Sequence, residues 1–251
     1  MRKIFSLLVV LLAPGAFAAE GSEYIQEFTP DTTNKASLQR GARLFVNYCM
    51  SCHSAGYHRD SHLARDLHLS ERQVQENLIF TTDENGAPTK PGALMVVPMT
   101  DRYAKEAFGT VPPNLSLASR VRGASWLYSY LKGFYLDESR ELIGVNNTVF
   151  PDVGMPHVLW DLQGFQVPVY KTEKRDGAEI RKIERLEIAV PGEQSAEEFD
   201  ATVADLVNFL VYLGEPARLE RQRLGIWVVL FMLVFTIVAY FLKKEYWKDV
   251  H

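Results

Sequence analysis

The chain has 251 residues, a formal net charge of −4 and only two cysteines. An acidic balance does not suit nucleic acid as a partner, and two cysteines exclude a zinc site built from two cysteine pairs. Roughly 200 residues lie between two apolar ends, enough for one domain with a real core.

At the amino terminus, Arg2 and Lys3 form a short positive region, Ile4 to Leu12 an apolar one, and Ala16-Phe17-Ala18 offers small residues where a signal peptidase reads. The pattern predicts a signal peptide over 1–18, because the apolar run is too short to span hydrocarbon comfortably. No cysteine follows that run, which excludes a lipoprotein anchor. The mature chain is therefore expected to be exported to a bacterial periplasm.

Leu38, Ala42, Phe45 and Cys49 recur at steps of four, three and four residues, one face of an α-helix. That helix runs into Cys49-Met50-Ser51-Cys52-His53. A Cys-x-x-Cys-His run is the attachment signature of a c-type haem, with two thioether bonds to the porphyrin and the adjacent imidazole beneath the iron. A thioredoxin-like pair would want a strand before it, where an amphipathic segment stands instead. One covalently bound haem c is expected on Cys49 and Cys52, with His53 as proximal ligand. His58, His62 and His68 follow among Arg59, Asp60 and Arg65. They are expected to form a solvated loop or helix rather than a second metal site.

Haem iron in an electron carrier is usually six-coordinate, and a thioether raises its potential over an imidazole. Downstream candidates are Met95, Met99 and Met155, or His58, His62, His68 and His157; Met232 lies in the apolar carboxyl-terminal run and drops out. Met155 sits in Phe150-Pro151-Asp152-Val153-Gly154-Met155-Pro156, where glycine permits close approach and proline stiffens the backbone. Met99, after Pro98, is its rival, and on the residues alone the two stay open.

Residues 166–190 predict an inserted hairpin, with Asp176-Gly177 as the turn between β-prone segments. Ser195 and Glu198 make a capping box. A second amphipathic helix then carries Phe199, Val203, Leu206, Leu210 and Leu213 at the same 4/3 spacing, and Gly214 with Pro216 stops it. From Leu224 to Leu242 no residue is charged, a length of roughly 28 Å at ~1.5 Å per residue, close to the ~30 Å hydrocarbon core. Trp227 and Tyr240 lie near its two ends. Lys243, Lys244 and Lys248 place the tail in the cytoplasm by the positive-inside rule, although Arg218, Arg221 and Arg223 on the other flank weaken the asymmetry.

The expected division is a signal peptide (1–18), a periplasmic haem domain (19–221, hairpin at about 166–190), a transmembrane helix (222–243) and a cytoplasmic tail (244–251). The protein would cross the bacterial cytoplasmic membrane once. Setting aside Arg2, Lys3 and the single net positive charge of the tail leaves the part between at −7. That charge either steers a basic soluble partner to the haem edge or serves solubility alone.

The two helices resemble those of the class I cytochrome c fold, in which a first helix with glycine and an aromatic before the haem motif crosses the last helix tightly. Gly41, Phe45 and Cys49 fall at that spacing, with Leu206 and Phe209 as last-helix partners. Glycine matters because two helix backbones approach closely only where one lacks a Cβ. The expected fold class is mainly α: a class I cytochrome c-like haem domain with a β-hairpin insertion and one carboxyl-terminal transmembrane helix.

Five features in order resemble the cytochrome c1 family, the haem subunit of the quinol–cytochrome c reductase (cytochrome bc1) complex. They are the signal peptide, the early Cys-x-x-Cys-His, Pro112-Pro113-Asn114-Leu115-Ser116, the Gly154-Met155 loop and the tail anchor. The family usually has Asp where this chain has Asn114, and the stretch 95–109 matches it only loosely. The resemblance implies that Met155 is the second axial ligand and that Pro112, Pro113 and Asn114 belong to the haem surround. It also implies that Arg120, four residues after Ser116, approaches a haem propionate.

The resemblance further implies a one-electron relay rather than a catalyst acting alone. Quinol is oxidised on cytochrome b, and an electron passes through the Rieske iron–sulfur protein to this haem and on to a soluble periplasmic cytochrome c or similar acceptor. The alternative is a tail-anchored monohaem cytochrome that serves a terminal oxidase or reductase. A haem peroxidase or nitrite-type reductase would need an open sixth position and usually a second haem motif. A single-anchor haem sensor or assembly factor is the remaining rival.

Overall fold

The computed structural model describes residues 23–249 except 84, 176 and 177; the predicted signal peptide lies outside the described residues. Helix α1 (Lys35–Leu44) starts at Asn34, whose side chain accepts from the Ser37 amide, and continues into a π-helical turn over Phe45–Cys49. Next come β1 (Ala55–Arg59), α2 (Asp60–Asp66), α3 (Glu71–Asn77), β2 (Leu94–Met95) and α4 (Asp101–Phe108). A 3-10 turn at Leu115–Leu117 leads into α5 (Ala118–Arg122) and α6 (Ala124–Lys132). The short strands β3 (Phe134–Leu136) and β4 (Val145–Asn147) follow, then α7 (Trp160–Gln163) and the long hairpin β5 (Gly164–Arg175) and β6 (Ala178–Pro191). Helices α8 (Ala196–Gly214) and α9 (Arg218–Tyr246) complete the chain. The strands pair antiparallel as β1–β2, β3–β4 and β5–β6, so the fold is mainly helical with small two-stranded sheets.

The framework is the crossing of α1 and α8. A Cβ built on Gly41 would lie 2.1 Å from the Asp205 carbonyl oxygen and 2.7 Å from Phe209 Cβ, so the two backbones touch at that glycine. Beyond the contact the Phe45 and Phe209 rings meet with centroids 5.5 Å apart. On its other side a polar clamp closes the crossing. The Asp205 carboxylate accepts from Ser37 Oγ at 2.6 Å and from Arg40 at 2.5 and 2.9 Å. Asn208 Nδ2 donates to Ser37 Oγ, while its Oδ1 accepts from the Asp31 amide. Ser37, Asp205 and Asn208 are buried, and this mutual bonding keeps their polar atoms paired. The 4/3 stripes of both helices are buried as the periodicity predicts, and Ser195 and Glu198 form the capping box that starts α8.

The hairpin runs from Gly164 paired with Pro191 to Arg175 paired with Ala178, a little wider than the predicted 166–190. Its base is pinned. Gly164 has φ +86°, and a Cβ on it would meet the Val190 carbonyl oxygen at 2.1 Å. Gln166 Nε2 donates to the carbonyls of Lys132 and Phe134 at 2.9 and 2.8 Å. Farther out, Tyr24 donates its hydroxyl to the Ile183 carbonyl and Lys182 pairs with Glu23.

Helix α9 is 29 residues long, extends beyond 222–243 at both ends, and has a mean hydropathy of 2.6 over its most apolar window with none of that window buried. In length and composition it suits a single membrane crossing. His58 departs from the expected solvated run. It is buried on β1, and that burial holds its imidazole below its ordinary range. Among the described residues, no three His, Cys, Asp or Glu side chains converge on a metal position.

Candidate functional site

The haem-type motif begins inside the π turn. An extra residue in that turn lets the Met50 amide donate to the Phe45 carbonyl at 2.9 Å. The chain then wraps around one acceptor, with the Cys52 and His53 amides both donating to the Cys49 carbonyl, at 3.1 and 2.8 Å. This winding brings both thiols and the imidazole to one side. Burial pushes the Cys49 thiol up to about 12, the opposite of the depressed values of dithiol oxidoreductases. His53 Nδ1 lies 2.8 Å from the Pro113 carbonyl oxygen. A carbonyl only accepts, so Nδ1 carries the proton and Nε2 is left bare, the form in which an imidazole binds a metal. Burial also holds this imidazole below its ordinary range, which favours the neutral ring.

Cys49, Cys52 and His53 open onto a cavity of about 350 Å³. Val111, Pro112 and Pro113 form one wall, Leu206 and Leu210 of α8 another, Trp126 and Tyr130 of α6 a third, and Val153 to Pro156 a fourth. Most of the lining is apolar. Met155 packs against the small buried cluster formed by Phe134, Val145 and Val153, and the Tyr130 hydroxyl donates to Met155 Sδ at 3.3 Å. Burial pushes the Tyr130 phenol up, so it is a donor at neutral pH.

Two buried asparagines of β4 hold the Met155 loop. Asn146 Oδ1 accepts from the Asp152 amide at 2.9 Å, and Asn147 Oδ1 from the Val149 and Phe150 amides at 2.9 and 3.2 Å. Arg140 Nη2 donates to the Val153 carbonyl from outside.

One cavity therefore gathers Cys49, Cys52, His53, Pro112, Pro113, Leu206 and Met155. Gly41, Phe45 and Phe209 stand behind it in the helix crossing. Neither Met95 nor Met99 is on its wall, nor are His58, His62, His68 or His157; Met95 is fully buried on β2. His157 is buried against Phe134, ring centroids 5.0 Å apart, and burial holds its imidazole down at about 4.

Asn114 and Arg120 also lie off the wall. Asn114 Oδ1 accepts from the Ser116 amide and starts the 3-10 turn, and Arg120 turns to Glu215 at 3.2 Å. The arginine of the wall is Arg122, its guanidinium 4.9 Å from the Trp126 ring centroid and 5.6 Å from that of Phe150. Residues two apart on a helix point in roughly opposite directions, so a cavity that takes Arg122 leaves Arg120 outside. Tyr130 also escaped the sequence reading. Its only local signal is the i, i+4 spacing from Trp126, on which it stacks at 4.8 Å.

An apolar cavity with two thiols and a neutral imidazole on one side, a thioether on another and a guanidinium in the wall fits a haem, a flat apolar ring that carries carboxylates. Comparison with known proteins agrees. The model of the Cytochrome C1 family matches residues 25–175 and 191–250, leaving out nearly all of the returning strand β6. The chain is 47% identical to a cytochrome c1 of Allochromatium vinosum over the full length of both. It is 44% identical, also over both full lengths, to a protein named ammonia monooxygenase gamma subunit in Nitrosomonas europaea. A mitochondrial cytochrome c1 haem protein of Saccharomyces cerevisiae is 28% identical, over 88% of this chain and 69% of its own. The chain belongs to the cytochrome c1 family.

Proposed function

We propose that the cavity holds one haem c, bound through Cys49 and Cys52, with His53 and Met155 as axial ligands. The observation that carries this reading is that His53, its tautomer set by the Pro113 carbonyl, shares one apolar cavity with the Met155 thioether. Family membership makes the chain a haem-bearing, bc1-type electron-transfer subunit of a respiratory chain. Bound here, the haem supplies one-electron redox chemistry.

The chain's own residues supply the rest. The β4 asparagines hold the Met155 loop, the apolar walls exclude water, and Arg122 rather than Arg120 offers its guanidinium to a propionate. The α1–α8 crossing serves, in this reading, as the frame of a class I cytochrome c-like domain. In this reading residues 1–18 are removed on export, the domain lies in the periplasm and α9 crosses the cytoplasmic membrane with its carboxyl end inside. Cytochrome b is then a neighbour in the membrane, the Rieske iron–sulfur protein the electron donor, and a soluble cytochrome c the acceptor.

Optical spectroscopy of the complex after gentle solubilisation tests the reading. The expected result is that a b-type haem co-purifies, that the reduced protein does not bind carbon monoxide rapidly, and that Met155→Leu abolishes the Met–iron charge-transfer band while Met99→Leu spares it. A band that survives Met155→Leu, or rapid carbon monoxide binding by the native protein, refutes the axial assignment. Purification with an oxidase and no b-type haem of the bc1 kind refutes the partners.

A further inference from the structure

We propose that Tyr130 is a positioning residue for the sixth ligand, donating its hydroxyl to the Met155 thioether and so holding the haem potential up. The proposal rests on Met155 being the axial ligand.

The contact is built from both sides. The Tyr130 ring stacks on Trp126 with an interplanar angle of 10°, and Phe134 meets it edge-on with centroids 5.3 Å apart. Its carbonyl accepts from Asn147 Nδ2 at 2.8 Å, and Asn147 is the residue whose Oδ1 holds the backbone just ahead of the Met155 loop. One buried side chain thus ties the donor's helix to the acceptor's loop, and packing rather than the hydrogen bond itself aims the hydroxyl at Sδ. A hydroxyl on an apolar, partly buried wall is costly unpaired, so even a weak sulfur acceptor is worth reaching.

A thioether sulfur has two lone pairs. With one directed to iron, the other can accept a hydrogen bond from the phenol. Donation to that lone pair withdraws electron density from the sulfur, which disfavours the oxidised, more electron-demanding iron and favours the reduced one. The phenol keeps its proton in both states, so the reaction remains a one-electron exchange without proton transfer.

Potentiometric titration of the haem in the intact solubilised complex reads this directly. Tyr130→Phe keeps the ring and its stacking, and should lower the reduction equilibrium constant roughly three- to tenfold, about 30–60 mV at ~59 mV per tenfold for one electron. The Met–iron charge-transfer band should shift yet persist. Placing 3-fluorotyrosine at position 130 makes a stronger donor of nearly the same shape and should move the potential the other way. Opposite shifts are the signature of the hydrogen bond, because a purely structural role would move neither or both in one direction. An unchanged potential in Tyr130→Phe, with the band intact, overturns the proposal while leaving Met155 as ligand. Absence of the band in the native protein overturns both. If Tyr130→Phe fails to assemble, a potential that fluorotyrosine leaves unchanged or lowers overturns it.

Discussion

Gly41→Ala is the sharpest perturbation of the framework, because two effects predict opposite signs. Helix propensity alone makes alanine better than glycine in a helix interior by about 1 kcal/mol. Packing says otherwise. The new Cβ would sit 2.1 Å from the Asp205 carbonyl oxygen, backbone of α8 that cannot rotate aside, and 2.7 Å from Phe209 Cβ. Relief needs α1 and α8 to part by on the order of 1 Å, an overpacking that costs typically about 1–3 kcal/mol. Parting also stretches the bonds from Ser37 and Arg40 to Asp205, which pushes the net loss to the upper end of that range. At roughly 2–4 °C per kcal/mol for a chain of this size, the melting midpoint should fall by about 6–12 °C. Leu206 and Leu210 move with α8 and line the cavity, so the haem absorption spectrum should be disturbed as well. Thermal unfolding of the full haem-loaded chain in detergent, followed by circular dichroism and haem absorbance, measures both. Gly92→Ala is the control, since nothing lies within 4 Å of its added Cβ. A Gly41→Ala midpoint at or above that of the parent protein would refute the close crossing.

Arg122→Gln should lower the haem potential and alter its pH dependence, whereas Arg120→Gln should leave both unchanged and loosen only the contact with Glu215; the reverse pattern restores Arg120 to the haem. Asp60 is buried with one unpartnered carboxylate oxygen, and burial raises its carboxyl to about 6, against 3.8 in a model peptide. The unfolded chain therefore gives up this proton first, and stability falls as pH rises from about 4 to about 6, by at most ~3 kcal/mol. Asp60→Asn should melt higher than the parent at pH 7.5 and level with it at pH 4; equal differences at both pH values would contradict that sign. Replacing the outer hairpin, 170–184, by a two-residue turn should leave the haem spectrum and potential unchanged, because Gln166 already pins the base to Lys132 and Phe134. A shifted potential in that truncation would make the hairpin part of the site.

What could be read from the sequence was what one element encodes locally. Cys49 to His53 carries its own chemistry in five residues, and the stripes of α1 and α8 announce their buried faces by period. Gly41 could be matched to α8 only through the resemblance to the class I cytochrome c crossing, whose physical reason is that two helix backbones approach closely where one lacks a Cβ. The far side of the cavity has no such code. On the residues alone Met155 and Met99 stand in equally suggestive loops; the β4 asparagines, which read as turn residues in sequence, and Arg140 hold the Met155 loop on the cavity. Pro113 sets the His53 tautomer from 60 positions away. His58 looked solvated because its neighbours are charged, and it is buried because the alternation of β1 turns it inward.

The arginine shows where resemblance and phase part company. Counting from Ser116 leads to Arg120, and a spacing within a motif carries no information about which way a short helix faces. In α5 the direction is set near its start, where the Ser119 hydroxyl donates to the Leu210 carbonyl, and a Cβ on Gly214 of α8 would stand 2.2 Å from Ser119 Oγ and 3.2 Å from Arg120 Cγ. With that face of α5 pressed on α8, Arg120 is delivered to Glu215 and Arg122 to the aromatic wall. The same contact that seals α8 therefore selects which guanidinium meets the cavity. Enlarging Gly214 should disturb the haem environment through Arg122, without touching any residue of the cavity wall.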